Sequence, residues 1–221
     1  MKWYSGWAFP DSALDALRAK CDEGILARVN KTTGKDSRLA FPIIGSWSLG
    51  SFQSLELAMK NPRDVRALVL ISSTPRFCAT ENFEHGLPET NLRAMQRSFA
   101  CDPRTTLENF HRLCAEPAVL SSDEIAECIE KSLSLGIETL AAGLRELREK
   151  DLRGEIARIE TPVLLLHGEE DRVIPVAASR WLAKNLPNAK LVTLRGAGHD
   201  LPLRHADWAE SEIAKFTGEI A

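Results

Sequence analysis

Short, continuous apolar runs alternate along this chain with longer segments of helical periodicity. Four runs predict buried strands, at residues 40–45, 65–72, 162–167 and 190–194, and weaker runs at 2–5 and 25–29 predict two more. Helical spacing of apolar residues follows at 51–61, 176–186 and 206–216. Strands without polar alternation, separated by helices, are typical of a parallel sheet that helices cover on both faces. The sequence therefore predicts an α/β fold with a mostly parallel sheet of about six strands.

Residues 76–150 interrupt this alternation. They contain no strand-like run, but they contain helical patterns at 91–100, 105–113, 123–133 and 137–149. Ligands of open α/β sheets bind beyond the carboxyl ends of the strands, so we expect this segment to form a helical cap (lid) over that edge. The alternative is that its helices pack on the flank of the sheet. The expected division is a core of residues 1–75 and 151–221 with a cap insertion of residues 76–150.

Composition narrows the class of protein. The 221 residues are 44% hydrophobic and 27% charged, with a formal charge of -3, as in an ordinary globular domain. Without a basic surface we expect no nucleic acid partner. No apolar run approaches the roughly 20 residues that span a bilayer, and a signal peptide is not visible, so we expect a cytoplasmic monomer without a membrane partner. The five cysteines lie at no metal-ligand spacing, and we expect neither a metal nor a cofactor.

Residues 46–50, with the sequence SWSLG, lie between an apolar strand and a predicted helix. They follow the pattern G-x-S-x-G except that Ser46 replaces the first glycine. A sharp turn between strand and helix would present Ser48 at the edge of the sheet, where a nucleophile is placed, and small neighbours let the turn form. The alternative is an ordinary serine that caps the helix.

Two further candidate residues follow later strands. Asp171 comes just after the strand predicted at 162–167, and His199 comes just after the strand predicted at 190–194. The chain order serine, acid, histidine, with each member at the carboxyl end of a strand, is that of the α/β-hydrolase fold. Glu170 is the alternative acid, and His167, within or at the end of its strand, is expected to be structural. The histidines for which the sequence suggests no partner are His85, His111 and His205.

Residues 144–216, which include PVLLLHGEEDRVIP and LPNAKLVTLRGAGHDLP, resemble the C-terminal half of the α/β-hydrolase superfamily. SGWAF near the start and SWSLGS at the turn are similar to H-G-W-G and G-W-S-L-G-G of the pimeloyl-acyl-carrier protein methyl ester esterases of biotin synthesis. Ser5, Ala8, Ser46 and Ser51 stand where that family has histidine or glycine. The resemblance also implies that the chain begins near the strand before the oxyanion loop, without the first two strands of the family.

These residues would support ester hydrolysis through an acyl-serine. His199 would accept the proton of Ser48, and Asp171 would hold the imidazole in the required tautomer. Two backbone N–H groups would stabilise the oxyanion: that of Leu49 at the start of the helix and, by the resemblance, that of Trp7. The alternative is that Trp7 is only a packing residue.

The resemblance implies a serine carboxylesterase that demethylates the methyl ester of a pimeloyl-carrier conjugate, so the partner is a small-molecule or acyl-carrier-protein-linked ester. Such a carrier substrate needs cations at the edge of the cap, and the candidates are Arg93, Arg97, Arg145 and Arg148. The alternative is that these arginines form only a solvated face. Other functions that remain open are a general short-chain carboxylesterase or thioesterase, a lyase of the same superfamily, and a catalytically inactive hydrolase-like binding module.

Overall fold

A computed structural model describes residues 1–21 and 41–220. In this part of the chain a parallel sheet of five strands has the order β1-β2-β3-β4-β5. The strands are β1 (Lys2–Tyr4), β2 (Ile43–Trp47), β3 (Ala67–Ile71), β4 (Val163–Gly168) and β5 (Ala189–Leu194). The α/β class and the parallel sheet are thereby confirmed. The strand predicted at residues 25–29 lies outside the described residues.

The observed strand boundaries differ from the predicted ones by up to three residues, and one of these differences bears on the site. The apolar run at residues 40–45 predicted a strand end at residue 45, but β2 continues to Trp47. Ser46 and Trp47 pair with β3, opposite Leu70 and Ile71, and both are completely buried. The strand therefore extends to the residue before Ser48.

A 3-10 turn (Asp11–Leu14) follows β1 and continues into helical residues 15–21, and a second 3-10 turn (Ile156–Arg158) precedes β4. The α-helices that follow β2 are α1 (Gly50–Lys60), α2 (Glu89–Cys101), α3 (Pro103–Ala115), α4 (Ser122–Leu133), α5 (Ile137–Glu149), α6 (Val176–Asn185), α7 (Leu201–Arg204) and α8 (Ala206–Glu219). Helix α1 packs on β1, β2 and β3, whereas α6 packs on β4 and β5. None of the helices that the structure describes is both long and apolar enough to cross a membrane.

Helices α2 to α5 all lie between β3 and β4, as the helical patterns predicted. Their starts follow from local chemistry: Asp102 accepts a hydrogen bond from the Thr105 amide before α3, and Ser121 and Glu124 form a capping box before α4. The helices pack on one another, α2 against α3 and α5, and α3 against α4. We call these four helices the inserted helices.

All five strands are parallel, so their carboxyl ends meet at one edge of the sheet. The loop after β1, the turn at Ser48 and the loops that carry Asp171 and His199 all leave the sheet there. The interior strands β2, β3 and β4 are buried at every residue, which gives this edge a rigid base.

Candidate active site

Ser48 occupies a strained turn between β2 and α1. Its φ of 54° lies in the left-handed region, which non-glycine residues rarely adopt, and its N–H donates to the carbonyl of Ile71 (2.9 Å). A side chain at Gly50 would place its Cβ 2.6 Å from the carbonyl oxygen of Tyr4, so this position requires glycine. Ser48 is therefore held at the carboxyl edge of the sheet by both neighbouring strands.

The two serines that replace the glycines of the resembled motif fit inside the turn. Ser46 and Ser51 are completely buried. The Ser51 hydroxyl shares a hydrogen bond with that of Ser73 (2.8 Å), whereas no described atom is a partner for the Ser46 hydroxyl. Each side chain adds only two heavy atoms, which is why the turn forms without glycine at these positions.

Ser48, His199 and Asp171 form a continuous chain of hydrogen bonds. Nε2 of His199 lies 3.0 Å from Oγ of Ser48, and Nδ1 of His199 lies 2.8 Å from Oδ2 of Asp171. The Asp171 and His199 side chains are fully buried, and Ser48 is 7% exposed. This geometry matches a serine whose proton an imidazole can accept while a carboxylate orients the ring.

The Asp171 carboxylate is held as an anion. Its Oδ1 accepts hydrogen bonds from the amides of Val173 (2.9 Å) and Ile174 (2.8 Å). Burial by itself raises the pKa of Asp171, but the neighbouring imidazoles of His199 and His167 outweigh it, and the pKa lies below its ordinary value.

The alternative acid, Glu170, has a different partner. Its carboxylate accepts the backbone N–H of Gly196 at the surface (2.8 Å). Among the two adjacent carboxylates it is therefore Asp171 that contacts the imidazole of His199.

The loop after β1 runs against Ser48. A Cβ added at Gly6 would lie 3.0 Å from Cβ of Ser48, and Trp7 lies beside Ser48 in the wall of the same cavity. Within the described ranges, no carbonyl accepts a hydrogen bond from the backbone N–H of Trp7 or Leu49. Leu49 is also the residue before α1, where the helix dipole favours negative charge. Both amides are thus available to a ligand oxygen.

The inserted helices hold this loop in place. Nε1 of Trp7 donates to the carbonyl of Leu140 in α5 (2.7 Å), and the Ser132 hydroxyl of α4 donates to the carbonyl of Ala8 (2.6 Å). Ala8, which stands where the resembled family has glycine, has a φ of 63°, in the left-handed region that favours glycine. Neither contact was predicted, because Ser132 and Leu140 lie more than 120 residues along the chain from their partners.

Ser48 opens into a cavity of about 460 Å³ between the sheet edge and the inserted helices. Its wall is mainly apolar, with polar side chains from α2 and α3. Arg172 is the charged residue of this lining, and its guanidinium pairs with Glu116 (2.5 Å). The lining residues are Trp7, Ser48, Phe77, Leu87, Asn91, Leu92, Met95, Ser98, Thr106, Asn109, Phe110, Leu113, Leu144, Leu147, Arg172 and Val173.

The four candidate arginines lie outside this lining. On α2, Arg93 pairs with Glu89 (2.9 Å); on α5, Arg148 pairs with Glu149 (3.0 Å). Arg97 and Arg145 are exposed on the same two helices. Their role in substrate binding stays a prediction. Arg172 was not among the predicted site residues, although its position directly after Asp171 was a usable signal.

His111 has a partner that the sequence did not reveal. Its Nε2 lies 2.8 Å from the Ser132 hydroxyl, and burial lowers its pKa to about 4. No group of three or more histidines, cysteines or carboxylates in the described ranges is arranged to hold a metal ion.

Comparison with known proteins adds a sequence match and a fold match. Residues 26–203 match the model of a family described as serine aminopeptidase, S33. The chain is 35% identical over 196 residues to the pimeloyl-acyl-carrier protein methyl ester esterase of Nitrosomonas europaea. This match covers 86% of this chain and 72% of that relative.

Among solved structures, an esterase from Exiguobacterium antarcticum matches with a TM-score of 0.74 and 18% identity over 79% of this chain and 66% of that one. A bromoperoxidase from Bacillus anthracis matches with a TM-score of 0.83 and 13% identity over 98% of this chain and 92% of that one. At these identities the structural matches establish the fold alone.

Proposed function

Since this chain belongs to the α/β-hydrolase family described as serine aminopeptidase, S33, we propose that it is a serine carboxylesterase. The observation that carries the proposal is the hydrogen-bonded chain from Ser48 through His199 to Asp171, located at a strained turn beside a cavity. The left-handed backbone of Ser48 supports a positioned nucleophile because the same serine contacts His199. The φ alone does not distinguish it, since Ser72 is also buried and has a φ of 48°.

The proposed reaction has two halves. In the first, Ser48 Oγ attacks the ester carbonyl carbon while its proton passes to Nε2 of His199, which then protonates the departing alcohol. In the second, a water molecule attacks the acyl carbonyl carbon while its proton passes to His199, and His199 then protonates Ser48 Oγ as the bond between Oγ and the acyl carbon breaks. The products are the carboxylic acid, the alcohol and the original Ser48 hydroxyl.

The carbonyl oxygen becomes negative in both halves. The backbone amides of Leu49 and Trp7 are the proposed donors to that oxygen. Their availability supports this assignment, as does the position of Leu49 before the first turn of α1. The Asp171 carboxylate would stabilise the imidazolium that forms on His199.

The proposed substrate is pimeloyl-acyl-carrier protein methyl ester, which would place the enzyme in biotin synthesis. The name of the 35% identical relative supports this choice, and a mainly apolar cavity is suited to an acyl chain. We further propose that residues 76–150 act as the cap that selects the substrate. The side chains of this cap that would face the acidic carrier are those of Arg93, Arg97, Arg145 and Arg148. The cytoplasmic location and the monomeric state of the protein stay predictions.

Replacement of the proposed nucleophile tests this function. Ser48→Ala should lower turnover of a methyl ester on the order of a million-fold, as expected for loss of a triad nucleophile. A fluorophosphonate probe should label the native protein and leave the variant unlabelled. Ser54→Ala is a matched control, because the Ser54 hydroxyl is buried in α1 and has no partner among the described residues.

Substrate choice needs a separate comparison. The carrier-linked methyl ester, a short-chain p-nitrophenyl ester, a thioester and an aminoacyl p-nitroanilide should be compared by kcat/KM. A preference for the carrier-linked ester supports the full proposal. Equal or better hydrolysis of the short ester would reduce it to a general carboxylesterase, and preference for the anilide would favour the aminopeptidase chemistry in the family's description.

A further inference from the structure

A second imidazole faces the carboxylate that orients His199. His167 lies in β4, four residues before Asp171, and both side chains are fully buried. Its Nε2 is 3.3 Å from Oδ2 of Asp171 and 2.9 Å from the carbonyl oxygen of Ile174. Its Nδ1 is 2.7 Å from the hydroxyl of Ser179, which also lies 3.0 Å from the carbonyl oxygen of Ser73 and can donate its one hydrogen to either of these two atoms.

These contacts determine where the ring carries hydrogen. A carbonyl oxygen and an ionised carboxylate can only accept hydrogen bonds. Nε2 of His167 faces one of each, so it must be the N–H donor. A bare Nε2 would put its lone pair against two oxygens in a fully buried site, which is strongly unfavourable.

The two oxygens of Asp171 are not equivalent. Oδ1 is engaged by the amides of Val173 and Ile174. Oδ2 is therefore the oxygen that both imidazoles contact, at 2.8 Å from His199 Nδ1 and 3.3 Å from His167 Nε2. A donor on Oδ2 draws off part of its negative charge, so it weakens the stabilisation of a protonated His199.

We propose that His167 is a positioning residue of the active site, whose Nε2–H shares Asp171 Oδ2 with His199 and keeps His199 from being held in its protonated form. This inference rests on the proposed function. It gives the buried strand histidine a part in setting the pH range of activity.

Other charged groups face the same histidines. Asp200 follows His199 and pairs with Arg204 (2.8 Å), and His205 lies near the same carboxylate. The thiol of Cys114, on α3, is close to both Asp171 and Asp200, and burial raises its pKa, which keeps it neutral. None of these groups changes when His167 is replaced, so a difference between variants reports on His167.

The test is the pH profile of kcat/KM for His167→Asn and His167→Gln. The asparagine amide occupies the place of Nδ1 and leaves Oδ2 without the second donor, whereas the glutamine amide reaches the place of Nε2 and retains it. With the donor lost, a protonated His199 is favoured. The midpoint of the acid limb should then move up by roughly 0.5 to 1 pH unit in His167→Asn, and by much less in His167→Gln.

His111→Asn is the control variant, because it removes another buried histidine that does not contact Asp171. The acid limb of its pH profile should have the same midpoint as that of the native protein. Equal midpoints in the native protein and His167→Asn, or equal shifts in the asparagine and glutamine variants, would overturn the inference. Labelling of Ser48 by the fluorophosphonate probe is measured in parallel, and its absence in the native protein would instead refute the proposed function.

A measurement on the native protein covers the case in which both variants fail to fold. In protein labelled with ¹⁵N-histidine, Nε2 of His167 should be protonated throughout the pH range of activity. A His167 ring with a bare Nε2 in that range would exclude the proposed hydrogen bond to Asp171, independently of any substitution.

Discussion

At the scale of single residues, two neighbouring carboxylates after β4 have different partners. Asp171 contacts the buried ring of His199, whereas Glu170 accepts a hydrogen bond from the Gly196 amide at the surface. Asp171→Asn should lower turnover by roughly ten-thousand-fold, because an amide favours the wrong tautomer of the imidazole. Glu170→Gln is the matched control and should keep most of the activity. The measurement is kcat for a methyl ester, with circular dichroism to verify the fold.

The opposite ranking of these two variants would assign the acid to Glu170. A loss shared equally by both would indicate a damaged loop rather than a damaged site, since the two residues are adjacent.

The positions of Ser48, Asp171 and His199 could be predicted because each lies at, or a few residues beyond, the carboxyl end of a predicted strand. Parallel strands bring such positions to one edge whatever the intervening sequence contains. The contact between His111 and Ser132 could not be predicted, because the two residues meet only after α3 packs on α4. The same reason hid the contact of Ser132 with Ala8.

At the scale of elements, the inserted helices contact the site through the loop after β1. Helix α5 accepts a hydrogen bond from Trp7, and helix α4 donates one to Ala8. Phe9 of this loop packs at 4.2 Å between ring centroids on Trp47, whose Nε1 donates to the carbonyl of His199 (2.9 Å). A change in the inserted helices would therefore displace the Trp7 amide, the proposed oxyanion donor of this loop, without any change in the sheet.

Ser132→Ala tests this connection. Ser132 donates its hydroxyl hydrogen to a carbonyl and accepts from Nε2 of His111, so alanine leaves buried polar groups without partners. A displaced Trp7 amide should lower kcat by roughly ten- to a hundred-fold with little change in KM, because the oxyanion forms only in the transition state. Ser134→Ala, at an exposed serine just after the same helix, should leave both constants unchanged.

Steady-state kinetics on the methyl ester shows whether Ser132 affects stabilisation of the oxyanion or binding of the substrate. A rise in KM with an unchanged kcat would place the effect of Ser132 on substrate binding rather than on the oxyanion. Equal effects in Ser132→Ala and Ser134→Ala would trace the loss to the helix end.

The boundaries of the helices and strands show what the spacing of apolar residues along the chain can and cannot predict. The pattern predicted helices α2 to α5 because each buries one face, and a repeated apolar spacing records that burial. It placed the end of β2 too early, since Ser46 is polar in the sequence yet completely buried beside β3. The burial of a serine depends on the neighbouring strands of the sheet, so it cannot be predicted from the sequence of one strand alone.

At the scale of the whole molecule, the fold is retained across sequences that share few residues. The match to the bromoperoxidase covers 98% of this chain at 13% identity. What such chains have in common is the order of buried strands and amphipathic helices, which depends on hydrophobicity and not on particular side chains. Composition and pattern were therefore enough to predict the fold, whereas the substrate depends on the individual residues that line the cavity.

Stability should depend on pH through His111. Burial lowers its pKa from 6.5 to about 4, so between these values the unfolded chain binds a proton at this residue that the folded protein excludes. The free energy of unfolding should consequently fall as the pH decreases from 6.5 towards 4, with a contribution of about 2 kcal/mol at pH 5.

Urea unfolding of the native protein and of His111→Asn at pH 7, 6 and 5 measures this contribution. The native protein should lose stability relative to the variant as the pH falls, because the asparagine does not titrate. Other groups cancel in the comparison, including Asp200, whose pKa burial raises, and Asp171, whose pKa lies below its ordinary value despite its burial. A constant difference between the two proteins from pH 7 to pH 5 would mean that His111 takes up its proton in the folded state, which requires water to reach the contact between α3 and α4.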